Sequence, residues 1–60
     1  MEKFELGDVV TLVNRKEVPM TIEGINKDST YSCIWFEGKE LFRDIFNGGN
    51  LQLIKPKHLL

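Results

Sequence analysis

Thr30-Tyr31-Ser32-Cys33-Ile34-Trp35-Phe36 is the stretch on which the reading of this chain turns. It is dense in aromatic and β-branched side chains, which suit a pleated strand better than a helix. Asn26-Lys27-Asp28-Ser29 stands before it, and the short polar side chains there can bond their own backbone and favour a reversal. Glu37-Gly38 stands after it and supplies the glycine that a tight hairpin needs, so Lys39 to Ile45 is expected to return antiparallel beside it. The composition of Phe42 to Phe46 is also compatible with a short helix or 3₁₀ turn. Towards the N-terminus, Val9 to Val13 is a β-branched run after the turn dipeptide Gly7-Asp8, with Phe4 and Leu6 as a lead-in. Polar residues and a proline break the pattern at Asn14 to Pro19, and alternation resumes over Met20 to Ile25, which predicts a second strand starting at or just after Pro19. Towards the C-terminus, Asn47-Gly48-Gly49-Asn50 is the strongest turn of the chain, and Leu51 to Ile54 makes a brief fifth strand before Pro56. Nowhere do apolar residues recur at i, i+3, i+4 and i+7 over three turns.

Five short strands at intervals of about ten residues predict an all-β protein, a small five-stranded antiparallel SH3-like barrel. One domain over residues 1–60 is expected, with 55–60 as a mobile tail. Alternation selects Leu6, Val10, Leu12, Met20, Ile22, Cys33, Trp35, Phe42, Leu51 and Leu53 as the core, gathered around Trp35. Val9, Val13, Ile25, Ile34, Phe36 and Ile45 have the opposite parity and are nonetheless apolar. They either fill a second small core beneath loops and Leu59-Leu60 or form an exposed contact surface.

The chain has 8 Lys+Arg and 9 Asp+Glu, a net charge of -1, with 42% hydrophobic and 28% charged residues, which excludes polybasic, collagen-like and low-complexity classes. One cysteine forms no intrachain disulfide, and one Cys with one His cannot assemble a four-ligand zinc site, so a cytoplasmic home without a metal or cofactor is expected. Cys33-Ile34-Trp35-Phe36 falls far short of the roughly 20 apolar residues of a membrane helix, and Met1 to Asp8 lacks the apolar region of a signal peptide. No membrane partner is expected. Cys33 and His58 could in principle pair as thiolate and imidazole. Cys33, however, sits mid-strand as a small hydrophobe, and His58 lies in the tail. The carboxylates are scattered singly, and no helix follows Gly48-Gly49 to hold a phosphate. Neither an enzyme nor a small-molecule substrate is expected.

Phe4, Gly7-Asp8-Val9-Val10, Leu12, Pro19-Met20-Thr21-Ile22, Cys33-Ile34-Trp35-Phe36 and Gly38 together resemble the pattern of the YodC-like family of small uncharacterised bacterial proteins, over most of the chain. That family opens on Gly-Asp-x-Val-x-Leu, continues with Gly-Gly-Pro-x-Met-x-Val, and then has Cys-x-Trp-Phe or Cys-x-Trp-Tyr. Here Glu17-Val18 replaces the pair of glycines, so the turn before Pro19 is expected to differ in shape. The resemblance implies a small barrel and transfers no reaction, substrate or partner.

The expected function is that of a small binding or adaptor module working through protein–protein contacts, with a homodimer as one form. Its candidate interface is Val9, Val13, Ile34, Phe36 and Ile45. The alternative is binding of RNA or DNA, which needs a local convergence of cations and would use Arg15, Lys16, Lys55 and Lys57. An aromatic groove for proline-rich or methylated peptides would draw on Tyr31, Phe36 and Phe46.

Overall fold

The computed structural model describes residues 4–55. Five strands form there: β1 (Val9–Leu12), β2 (Arg15–Ile25), β3 (Thr30–Glu37), β4 (Glu40–Asn47) and β5 (Leu51–Lys55), with a 3₁₀ turn at Gly48–Asn50. All pairings are antiparallel, in one sheet of order β4-β3-β2-β1-β5. β4 and β5 are its edges, and no pairing between them closes the sheet into a barrel among the described residues. The all-β, five-stranded antiparallel expectation therefore holds at the level of the sheet.

Local chemistry accounts for the turns. Asp8 N–H donates to the Glu5 carbonyl at 3.0 Å with Gly7 at φ 90°, the third position of a type II turn, and Asp8 Oδ2 accepts the Glu5 N–H at 2.8 Å. Between β2 and β3, Thr30 Oγ1 accepts from Asn26 Nδ2 at 3.0 Å and donates to Asp28 Oδ1 at 2.6 Å, while Ser29 takes φ 68°. The Thr30 hydroxyl holds the Asp28 carboxyl below its ordinary value. Gly38, at φ 64°, is the first central residue of the two-residue β3–β4 loop, as a II′ hairpin requires. Asn47 Oδ1 accepts the Gly49 N–H at 2.9 Å and caps the 3₁₀ turn.

Phe4, Val10, Met20, Ile22, Tyr31, Cys33 and Leu51 form the core, with Leu12, Val18, Ile25, Trp35 and Phe46 packed against it. Phe4 meets Tyr31 edge to face, ring centroids 5.2 Å apart. The centre is thus Val10, Ile22 and Cys33, and Trp35 is a half-buried flank instead of the expected hub. Leu6, Phe42 and Leu53, expected inside, are exposed. Leu6 occupies the tip of the type II turn, while Phe42 and Leu53 lie on the two edge strands, beyond which no strand among the described residues covers them. Ile25, expected to face outward, packs on the core because the register shifts between Ile22 and Gly24 and reverses the alternation.

β2 begins at Arg15, four residues before the predicted start. Leu12 pairs with Arg15 and Val10 with Met20, so Thr11 alone faces Lys16 to Pro19. Pro19 has no ladder partner on β1, and its missing N–H costs nothing there. Phe42 to Phe46 is strand and not helix. Lys55 belongs to β5 and not to a tail, whereas 56–60, with Lys57, His58 and Leu59-Leu60, lie outside the described residues.

Candidate functional site

The outer face of the sheet is laid out by the register. Val9, Thr21, Ile34 and Arg43 form one row across β1, β2, β3 and β4, flanked on one side by the pair Phe36 and Leu41 and on the other by Ser32 and Ile45. Three of the candidate interface residues come together: Val9, Ile34 and Phe36 line one shallow depression with Pro19, Thr21 and Trp35. Phe36 is 69% exposed, a large cost for a phenylalanine left in water. Arg43 Nε reaches over β3 to Glu23 Oε2 at 3.1 Å and bounds this depression with a neutralised pair. Ile45, 59% exposed, lines a separate recess with Glu23, Ser32, Arg43 and Asp44. Val13 stands in the β1–β2 turn, where its N–H donates to the Asn50 carbonyl at 3.0 Å, and does not line the depression. Pro19, Thr21 and Leu41 were missed by the sequence reading. The signal for Pro19 and Thr21 was their spacing of two along one strand, which puts both on the face opposite Met20.

Among the described residues, the candidate nucleic-acid cations do not converge. Arg15 and Lys16 begin β2 opposite Leu12, whereas Lys55 pairs with Val9 at the other end of β1, about 10 Å along the strand. Arg15 Nε also lies 3.6 Å from Glu17 Oε2. Lys57 is outside the described residues. Of the aromatic trio, Tyr31 is in the core, Phe46 is half-buried against it and Phe36 is on the opposite face, so no single groove uses all three.

Cys33 is fully buried, and burial, with a smaller contribution from the Glu23 charge, pushes its thiol up to about 11. A thiol so held supplies almost no thiolate at neutral pH. Among the described residues no group of three or more His, Cys, Asp or Glu is placed to hold a metal ion, and no helix is long and apolar enough to cross a membrane. Scans against protein-family models, curated proteins and solved structures found no match to this chain.

Proposed function

We propose that this chain is a small cytoplasmic protein-binding module on an SH3-like barrel, that its contact surface is the outer depression around Ile34 and Phe36, and that its partner is a second copy of itself. The single observation that carries the reading is the apolar continuity of Val9, Pro19, Thr21, Ile34 and Phe36 on one face, with a phenylalanine left largely in solvent. The strand order supports the barrel assignment, since β1 lies between β2 and β5 and three register shifts bend the sheet. A buried, unpaired cysteine fits a reducing compartment.

The likeness to the YodC-like pattern belongs to the same reading, and it is a likeness of architecture. Phe4, Val10, Met20, Ile22 and Cys33, quoted for it, are core residues, and Gly7 and Asp8 build a turn. In this reading the chain carries no catalytic, cofactor or metal site. The nucleic-acid alternative draws less support, because Arg15 and Lys16 lie at the opposite end of β1 from Lys55.

Sedimentation velocity at micromolar concentration tests the proposal. A dimer that Phe36→Ser converts to monomer, with the β-sheet circular dichroism signal retained, is the expected outcome. A wild-type chain that stays monomeric throughout, or a dimer indifferent to Phe36→Ser, overturns it.

A further inference from the structure

The opposite face of the sheet carries a different chemistry near the tip of the β3–β4 hairpin. By register and alternation the inner side presents Tyr31, Cys33, Trp35 and Glu37 from β3 and Glu40, Phe42 and Phe46 from β4. Tyr31 and Cys33 are buried, but towards the hairpin tip this face leaves the core, and Trp35 is only half-covered beside exposed Phe42. The Trp35 and Phe42 rings lie nearly parallel, centroids 5.9 Å apart and 21° between planes, and Phe46 leans on Trp35 at 6.1 Å and 49°. An open cleft runs beside them, between Arg15, Val18 and Met20 of β2 and Trp35, Glu37 and Phe46.

Charge distinguishes this surface from the neutral outer depression. Trp35 Nε1–H donates to Glu37 Oε2 at 3.2 Å, which pins the carboxylate at the edge of the indole and leaves Oε1 to a ligand. Glu37 and Glu40 are directly opposed across the hairpin, an arrangement of like charges that costs stability on its own. At the hairpin tip these two carboxylates face one cation, Lys39 in the turn, while Arg15 in the cleft has Glu17 as its partner at 3.6 Å. Arg43 points to the outer face and is engaged by Glu23.

We infer that this inner aromatic surface is a second docking site, and that it takes an arginine-rich, extended segment of a partner protein, a guanidinium stacking on Trp35 and Phe42 while its N–H groups meet Glu37 and Glu40. Aromatic faces attract cations, and a planar guanidinium both stacks and bonds a carboxylate through two parallel N–H groups. A lysine ammonium does neither in the same way. Such a ligand relieves the Glu37–Glu40 opposition, which a second copy of this acidic surface would worsen.

The test uses the full chain and a capped peptide of alternating arginine and glycine, with lysine and glutamate versions beside it. The chain has one tryptophan, which borders both surfaces, so its fluorescence reports binding and the variants assign the face. A saturable change in emission is expected with the arginine peptide, weakened by roughly fivefold or more in Phe42→Ala and in Glu37→Gln. Glu37→Gln keeps an acceptor for the indole N–H and preserves the fold. Phe36→Ala, on the other face, leaves the affinity unchanged, which separates this site from the outer depression. No saturable change at millimolar peptide, an equal response to lysine or glutamate peptides, or sensitivity to Phe36→Ala with indifference to Phe42→Ala and Glu37→Gln overturns the inference.

Discussion

Two buried side chains expose how little slack this interior has. Thr11 is 1% exposed, and its hydroxyl finds no hydrogen-bond partner among the described residues, so the oxygen is desolvated for no return. Valine has the same branched shape without the hydroxyl. Thr11→Val is therefore expected to raise stability by about 1 kcal/mol, read from the denaturant midpoint at constant slope. Cys33 gives the complementary pH effect. Its thiol titrates at about 11 in the folded chain against an ordinary 9.0, so the native state holds the proton longer than the unfolded state does. The resulting stability is fully present below pH 9.0 and is lost as pH rises through about 11. Unfolding midpoints measured from pH 8 upward should fall over that window, and Cys33→Ala should remove that part of the slope. The parity argument placed Cys33 inside correctly, but Thr11 escaped it because the register shift between Val10 and Leu12 puts two successive residues in the interior.

At the scale of elements, the 3₁₀ turn between β4 and β5 is held by a contact that only glycine permits. A Cβ on Gly48 would lie 2.8 Å from Tyr31 Cε1 and 3.3 Å from the Ser29 carbonyl oxygen, and the Tyr31 ring is itself buried against Phe4. Gly48→Ala is expected to destabilise the fold by about 1 to 3 kcal/mol. At Gly49 an added Cβ meets only Asn47 Oδ1, at 3.4 Å, so Gly49→Ala should cost clearly less in a paired thermal melt. The turn was legible from Asn47 to Asn50 because glycine and asparagine announce reversals; which glycine matters was not, since that depends on where Tyr31 arrives from another strand. The β3–β4 hairpin was legible for the same local reason, with Gly38 at its tip. The start of β2 was hidden because a proline reads as a strand breaker, and only pairing shows that Pro19 sits where the ladder asks nothing of its nitrogen.

At the scale of the molecule, strand number and pairing sense followed from periodicity, whereas burial depended on which strands became edges. Phe42 and Leu53 have core parity and still face water, because sheet order decides who has neighbours on both sides. Of the candidate site, Val9, Ile34 and Phe36 were recoverable from parity alone, while Ile45 was separated from them by an ion pair that links β2 to β4 across β3. The exposed edge also defends itself: Asp44 Oδ1 takes up the Ile45 N–H at 2.8 Å and withdraws that amide from recruitment by a foreign strand.

β1 is bracketed by β2 and by β5, which follows it by some forty residues in the chain, and Leu51 of that later strand is among the most sheltered side chains. A nascent chain halted before residues 51–55 leave the ribosome therefore holds a half-built interior and a bare flank on β1. Completion waits until β5 has emerged, and a pause before that point leaves the polypeptide in the hands of chaperones.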